Sequence, residues 1–169
     1  MRMSETNIIL TKRETLQKIK RIAYQIYEHN YQEQEIAIAG IYDKGYFFAE
    51  LLVKELATLC NLKITLVKIT LDKFAKSQCE VTLDVDVHKL QNKVVVVTDD
   101  VLNTGRTLVY SLQPFLSIPL KKLQTAVIVN RSHNNFPVSP DYIGYSLATT
   151  LKEHIDVVFE EDKFGVYMH

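Results

Sequence analysis

The sequence predicts an α/β fold: a doubly wound, mainly parallel sheet with helices on both faces and a small appended lobe. The main observation is Val94–Val97, four β-branched residues without alternation, which suits a strand buried on both faces of a sheet. A second apolar strand, Ile36–Ile41, is also followed by a polar loop and a helical pattern. Because both are strand–loop–helix units, their loops should open at the same sheet edge, where ligands of α/β proteins bind.

The composition limits the classes of protein to consider. The chain has 169 residues, 47% hydrophobic and 24% charged, which predicts one domain, residues 1–169, with a sizeable core. The net charge of +0 and the pI near 7.0 give no overall electrostatic case for nucleic-acid binding. The sequence has no run of about 18 apolar residues. A soluble, cytoplasmic protein without a membrane partner is therefore expected.

The first predicted element is an amphipathic helix. Thr11 and Glu14 form a capping-box pattern that places the N-cap at Thr11. Spacings of three and four predict an inward-facing stripe of Leu16, Ile19, Ala23, Ile26 and Asn30. The helix also carries the basic residues Lys12, Arg13, Lys18, Lys20 and Arg21. These form either a solvated face or a face that contacts phosphate or RNA.

The other elements continue the pattern of strands and helices. A helix is predicted at 46–59, followed by strands at Lys63–Leu71 and Glu80–Val87, the second with strict apolar–polar alternation. The polar residues 72–78 between these strands are predicted to form a mobile loop. Further strands are predicted at 123–129, 155–159 and 164–167, the last two paired with each other.

The residues after Val94–Val97 carry the chemistry. Two adjacent carboxylates, Asp99 and Asp100, precede the polar loop Asn103–Thr107. Consecutive amides of Thr104–Thr107 can bind one anion, and Gly105 lets the backbone approach a phosphate closely. The carboxylates suit the hydroxyls of a ribose or a hydrated Mg²⁺. The combination predicts a ligand sugar with both a phosphate and free hydroxyls, and the loop is neither a P-loop nor G-x-G-x-x-G.

A substitution follows from this interpretation. A Gly105→Val variant is expected to fold and to lose phosphate binding, because its side chain would occupy the phosphate position. The alternative interpretation is a capped strand–loop–helix turn with an incidental acidic pair.

The order of these residues resembles the phosphoribosyl-diphosphate (PRPP) motif of the type I phosphoribosyltransferases. The first helix, the strand to Ile41 and residues 130–144 also resemble PyrR proteins, bifunctional bacterial proteins with uracil phosphoribosyltransferase activity and, in many members, binding of pyr mRNA. The resemblance covers nearly the whole chain. It implies a type I phosphoribosyltransferase-like fold, with PRPP and a nucleobase, uracil being favoured, as ligands. It also implies Mg²⁺ as cofactor and a homodimer or higher homo-oligomer.

The resemblance assigns roles to individual residues. The PRPP and nucleotide phosphate would be bound by Asn103, Thr104, Gly105, Arg106 and Thr107. Asp99 and Asp100 would be the catalytic pair, binding the ribose and, through the ribose or water, the metal ion. Lys44 and Gly45 would bind pyrophosphate. The alternative for Asp43–Gly45 is an ordinary turn with an exposed ion pair.

Three departures from the PyrR pattern alter these expectations. Asp43–Gly45 replaces Thr-Arg-Gly, which predicts slow turnover and a gain of at least about tenfold in kcat/KM on Asp43→Thr plus Lys44→Arg. Asn103 cannot act as a base toward a purine ring, which argues against a 6-oxopurine substrate. Lys20 and Tyr24 replace a threonine and a histidine of the RNA-binding face, so specific RNA binding is expected to be weak or absent.

Two functions remain. The first is a PRPP-dependent transferase that forms UMP from uracil and releases pyrophosphate. The second is a nucleotide-sensing regulatory protein with little or no turnover. The altered Asp43–Gly45 loop favours the second, and the PRPP motif fits both.

Overall fold

The computed structural model describes residues 7–77 and 80–169. Residues 1–6 and 78–79 lie outside the described part. They belong to the predicted domain 1–169, and residue 78 is the end of the predicted loop 72–78. The helices are α1 (Lys12–Asn30), α2 (Lys44–Leu59) and α3 (Arg106–Ser111). The strands are β1 (Asn7–Thr11), β2 (Glu35–Ile41), β3 (Lys63–Thr70), β4 (Thr82–Leu83), β5 (Val94–Leu102), β6 (Lys122–Asn130), β7 (Tyr142–Ser146), β8 (Ile155–Val158) and β9 (Gly165–Met168). Short 3₁₀ segments lie at Val87–Leu90, Gln113–Ser117 and Glu161–Lys163.

The larger sheet has the strand order β4-β3-β2-β5-β6-β7. Strands β3, β2, β5, β6 and β7 are parallel, and β4 is antiparallel to β3. The chain moves from β2 outward to β3, and from β5 outward in the opposite direction to β6. The strand order therefore reverses between β2 and β5, and ligands of such sheets bind outside the carboxyl ends at that point.

Helices cover both faces of this sheet, as the sequence predicted. On one face, Ile36, Ile38, Val94 and Val96 join a buried cluster with residues of α1 and α2. On the other face, the intervening residues of β2 and β5 join a second cluster, which includes Leu108 of α3. Successive side chains of a strand point to opposite faces. The unbroken valine run of β5 is explained by this burial on both sides.

Helix α1 begins with the predicted capping box. Thr11 Oγ1 accepts a hydrogen bond from the Glu14 amide at 3.3 Å, and a Glu14 carboxylate oxygen accepts one from the Thr11 amide at 2.8 Å. The predicted inward stripe is wrong at Leu16, which is 36% exposed, whereas Thr15 is buried. The buried residues are Thr15, Ile19, Ile22, Ala23, Ile26 and Asn30. A helix advances about 100° per residue, so a stripe centred on Ile19 and Ile22 contains Thr15 and excludes Leu16.

The appended lobe is a three-stranded antiparallel sheet in the order β1-β9-β8. The pairing of β8 with β9 confirms the sequence prediction. Strand β1 was not predicted, and its partner lies at the other end of the chain, with Asn7 opposite Met168. Strand β7 was also not predicted; it pairs with β6 in parallel.

The predicted strand Glu80–Val87 is wrong, because only Thr82–Leu83 pairs with β3. The carboxylate of Asp84 accepts the hydrogen bond of the Lys68 amide at 2.8 Å, and so replaces a carbonyl of the ladder. The apolar side chains Val81, Leu83, Val85 and Val87 still pack against the second core cluster. The alternation therefore predicted correctly which side chains pack against the core, but it predicted incorrectly that the whole segment pairs with a neighbouring strand. Within the described part of the chain, no helix is long and apolar enough to cross a bilayer.

Candidate active site

The two loops singled out from the sequence meet where β2 and β5 end. Helix α2 begins at Lys44 rather than at the predicted Tyr46, so Lys44 and Gly45 belong to its first turn. A Cβ atom at Gly45 would lie 2.7 Å from the Thr98 carbonyl oxygen and 2.9 Å from Asp99 Cα. Thr98 Oγ1 also donates to the Gly45 carbonyl at 2.8 Å. Gly45 is thus where α2 packs directly against β5, which brings Lys44 beside the acidic pair.

The PRPP-motif loop encloses a small cavity. The cavity has a volume of about 50 Å³ and is lined by Asp99 and by residues 101–108. The carbonyl of Thr104 accepts hydrogen bonds from the amides of Asn135 at 2.8 Å and Phe136 at 3.1 Å, which fixes the loop against residues 135–136. Thr104 Oγ1 accepts a hydrogen bond from the Arg106 amide at 3.3 Å. The amides predicted to bind phosphate therefore lie around one concave site at the start of α3.

Gly105 has a different role from the one expected. Its φ of +85° lies in the left-handed region, which residues with a Cβ rarely adopt. An added Cβ would meet Val138 Cγ1 at 2.6 Å. A Gly105→Val side chain would therefore collide with the residues packed behind the loop and strain its backbone. The expectation that this variant folds normally and fills the phosphate position is wrong, and it cannot serve as a clean probe of phosphate binding.

Asp99 is the last residue of the continuously buried run in β5, and Asp100 follows it directly. Asp99 is only 4% exposed, its Oδ1 accepts from the Asp100 amide at 3.0 Å, and Lys73 Nζ lies 3.8 Å from the same oxygen. Burial raises the pKa of the Asp99 carboxyl well above its ordinary value, and the neighbouring charge of Asp100 raises it further, whereas Lys73 opposes the shift. Asp100 is only partly buried. The pair therefore contains one buried carboxyl with a raised pKa, Asp99, and one that lies closer to solvent, Asp100.

A second cavity lies on the other side of this pair. It has a volume of about 390 Å³ and is lined by Asp100, by residues 42–44 and by residues 71–74. Asp99 lines the first cavity and Asp100 the second, as expected for neighbours in an extended strand. A small cavity surrounded by amides and a larger one are thus separated by two carboxylates. This arrangement fits a sugar with a phosphate at one end and a larger group at the other.

The charges around the larger cavity are mainly negative. Its lining includes three carboxylates, those of Asp43, Asp72 and Asp100, and two ammonium groups. Lys44 is ion-paired with Asp156 of β8, and Lys73 is the residue beside Asp99. Asp43 thus lines the cavity, while the positive charge of Lys44 is shared with a residue of the lobe. Sequence reasoning missed Asp156 because nothing local relates β8 to the start of α2.

Two arginines connect the site to the segments around it. The Arg106 guanidinium donates to the carbonyl oxygens of Lys73, Ala75 and Ser77, two of these at 3.4 Å. Its side chain therefore holds residues 73–77 of the predicted mobile loop, while Arg106 also lines the smaller cavity. Arg131, which is buried, donates to Asn103 Oδ1 at 3.3 Å and to the Thr150 carbonyl at 2.8 Å. The Asn103 side chain is thus tied to the segment that precedes the lobe.

The described residues contain no group of three His, Cys, Asp or Glu side chains placed to hold a metal ion. Mg²⁺, however, commonly binds through one or two carboxylates together with substrate phosphates and water. The carboxylates that line the larger cavity are oxygen donors of that kind. The site therefore fits Mg²⁺ that arrives with a phosphate ligand better than a metal held by protein side chains alone.

Comparison with known proteins defines the class. The family model described as "Phosphoribosyl transferase domain" matches residues 5–162. Hypoxanthine phosphoribosyltransferase of Trypanosoma cruzi, whose structure is known, has a similar fold, with a TM-score of 0.78, 18% sequence identity and 95% of each chain covered. The chain belongs to the phosphoribosyltransferase family and has the type I fold.

Within this family, the chain is similar in sequence to PyrR proteins. The chain is 33% identical over 168 residues to the bifunctional protein PyrR of Staphylococcus epidermidis, with 94% of each chain covered. It is 32% identical over 161 residues to the bifunctional protein PyrR of Fusobacterium nucleatum, with 91% of each chain covered. These matches confirm the resemblance to PyrR proteins that the PRPP motif and residues 130–144 indicated.

Proposed function

We propose that this protein is a PRPP-dependent phosphoribosyltransferase that forms UMP from uracil and releases pyrophosphate. The observation that carries this proposal is the pair Asp99–Asp100 between two cavities of different character. PRPP has a 5′-phosphate, ribose hydroxyls and a pyrophosphate in that spatial order. Uracil is proposed as the base because of the resemblance to PyrR proteins and because Asn103 lacks the acidic group expected for a purine substrate.

The site residues follow from this placement. The loop of Asn103, Thr104, Gly105, Arg106 and Thr107 binds the 5′-phosphate, mainly through main-chain amides around the smaller cavity. Asp99 and Asp100 accept hydrogen bonds from the ribose hydroxyls. The first turn of α2, with Lys44 and Gly45, meets the pyrophosphate in the larger cavity, where Lys44 is part of the lining.

The residues act mainly on charge that develops during the reaction. A ring nitrogen of the base bonds to the anomeric carbon as the bond to pyrophosphate breaks, and the proton of that nitrogen is released to water. The transition state resembles an oxocarbenium ion. Asp99 and Asp100 lie beside the positively charged sugar, and the Lys44 ammonium, which pairs with Asp156 in the structure, turns to the negative leaving group. When bound, Mg²⁺ neutralises the pyrophosphate as its charge grows. Such preorganised charge is commonly the largest contribution to catalysis.

Pyrophosphate release tests this function. The protein is incubated with PRPP, Mg²⁺ and each nucleobase in turn, and pyrophosphate is measured with a coupled assay. We expect release with uracil that exceeds the release with hypoxanthine or guanine and requires the divalent cation. Release with a purine in place of uracil would overturn the choice of base, and no release with any base would favour the second function.

That second function is a nucleotide-sensing regulatory protein with little or no turnover. It is favoured by one specific observation, the ion pair of Lys44 with Asp156, because it leaves the larger cavity with excess negative charge. A protein of this kind would still bind PRPP or a nucleoside monophosphate in the smaller cavity. Ligand-dependent thermal stabilisation without pyrophosphate release would identify it.

Specific RNA binding is expected to be weak or absent, whichever function holds. Two cations of α1 make contacts within the protein: Lys12 pairs with Glu161, and Arg21 donates to the carbonyls of Ile143 at 3.1 Å and Gly144 at 2.6 Å. Fewer charges therefore remain for phosphates, and any residual binding should weaken steeply with salt. A structured pyr-leader RNA and a scrambled control are titrated at physiological salt. A large preference for the leader RNA would contradict this expectation.

A further inference from the structure

Asp156 is placed beside the site by packing that does not depend on its charge. It lies in β8, opposite Tyr167 of β9. The lobe contacts α2 through Phe47 and Phe159, whose ring centroids are 4.6 Å apart, and Phe159 meets Phe164 edge-on at 5.4 Å. These aromatic contacts hold β8 against the start of α2. The carboxylate of Asp156 is thus fixed next to Lys44 and can be neutralised without removing the packing.

The ion pair lies between the lobe and the larger cavity. Lys44 lines this cavity, yet its ammonium contacts the carboxylate of Asp156, which is not part of the lining. Both side chains are partly exposed, 36% for Lys44 and 44% for Asp156. Ion pairs with this exposure are worth little, because water screens them. Breaking the ion pair therefore requires little free energy, and an incoming polyanion can bind the Lys44 ammonium in place of Asp156.

We propose that Asp156 is a positioning residue that competes with the pyrophosphate group for the Lys44 ammonium. It holds the ammonium at the rim of the larger cavity when the group is absent, and it retakes the ammonium when pyrophosphate leaves. Asp156 thereby lowers the affinity for pyrophosphate, both as part of PRPP and as free product. This inference rests on the proposed function, because it assumes that pyrophosphate occupies the larger cavity.

The test compares the parent protein with Asp156→Asn. Asparagine has nearly the same shape but does not compete for the ammonium. We expect Mg²⁺–pyrophosphate to bind about two- to fivefold tighter to the variant in isothermal titration calorimetry, the range that the energy of an exposed ion pair allows. The KM for PRPP should fall by a similar factor, whereas the KM for uracil and the melting temperature should stay unchanged.

Two further variants separate this role from a general effect of charge. Glu161→Gln removes a carboxylate of the same lobe that pairs with Lys12 of α1 instead of Lys44, and it should leave pyrophosphate affinity unchanged. In a Lys44→Met background, Asp156→Asn should no longer tighten binding, since the ammonium for which it competes is gone. A gain that persists in that background would overturn the proposal, and so would an equal gain in Glu161→Gln.

The outcomes also separate this inference from the proposed function. If PRPP binds and is turned over, and pyrophosphate affinity is the same in the parent and in Asp156→Asn, the inference is overturned and the function stands. If PRPP stabilises neither protein and neither releases pyrophosphate, the proposed function is overturned and the inference with it.

Discussion

Replacing Asp99 by asparagine is expected to stabilise the protein while lowering its catalytic efficiency. The carboxyl is almost completely buried beside a second carboxylate, with Lys73 Nζ 3.8 Å from its Oδ1. An amide of the same shape avoids the cost of a buried charge, so the free energy of unfolding should rise by about 1–2 kcal/mol. For a chain of this length, each kcal/mol corresponds to about 2–4 °C in Tm. A carboxyl hydrogen-bond partner of the ribose is lost, so kcat/KM should fall by about one to two orders of magnitude.

The gain in stability should depend on pH in a defined direction. The pKa of Asp99 is raised in the folded protein, so the folded state holds a proton that the unfolded chain loses near its ordinary pKa of about 4. The stability linked to this proton is complete below that pH and is lost as pH rises through the folded pKa. The advantage of Asp99→Asn over the parent should therefore be larger at pH 8 than at pH 5.

The measurement is thermal unfolding in the presence of a chelator and without ligands, followed by steady-state kinetics with Mg²⁺. Asp100→Asn is the matched control, because Asp100 is adjacent in the same strand and only partly buried. It should lower kcat/KM to a similar extent with little gain in Tm. Equal melting temperatures of the parent and Asp99→Asn at pH 8 would contradict the buried-charge argument.

Changing the start of α2 is expected to raise activity. Asp43→Thr with Lys44→Arg removes one carboxylate from the lining of the larger cavity and supplies a guanidinium that can bind two phosphate oxygens at once. Charge at the leaving group affects the transition state more than the ground state. The double variant should raise kcat/KM for PRPP at least tenfold, about 1.4 kcal/mol, with part of the gain in kcat.

The ion pair with Asp156 modifies this expectation. Asp156 can pair with a guanidinium as it pairs with Lys44, so adding Asp156→Asn to the double variant should increase kcat/KM further. Asp162→Thr makes the same change of charge as Asp43→Thr, in the 3₁₀ segment of the lobe, and should leave the rate unaltered. An unchanged rate in the double variant would mean that Asp43 does not affect the leaving group. A lower rate would mean that Asp43 helps catalysis, for example by binding Mg²⁺ through water.

Features encoded by neighbouring residues could be predicted from the sequence. The valine run of β5, the capping box of α1 and the loop at Asn103–Thr107 depend on residues a few positions apart, and all three are present as expected. Strand β1 could not be predicted, because its partner β9 is at the other end of the chain and a five-residue edge strand has a weak pattern of its own. The strand predicted at Glu80–Val87 failed because an aspartate side chain replaced a ladder carbonyl.

The candidate site also contains some residues that are adjacent in sequence and others that only the fold brings together. The loop at Asn103–Thr107 and the acidic pair could be singled out as site candidates because the residues of each are contiguous in sequence. The partner of Lys44 depends on how β8 is registered against β9 and on how the lobe packs on α2, and neither is visible in local sequence. The prediction for Gly105→Val was wrong for a similar reason. A Cβ added at Gly105 would meet the Val138 side chain, and only the assembled fold places that side chain there.

Arg106 contributes its main chain to one segment of the protein and its side chain to another. Its amide is part of the loop at Asn103–Thr107, while its guanidinium binds three carbonyls of residues 73–77. Opening of residues 73–77 would break hydrogen bonds anchored in that loop, so we expect the two segments to open together. A ligand that orders the loop lowers the entropic cost of ordering its neighbour. If the loop at Asn103–Thr107 binds the 5′-phosphate as proposed, we expect phosphate binding to lower the free-energy cost of ordering residues 73–77 beside the larger cavity.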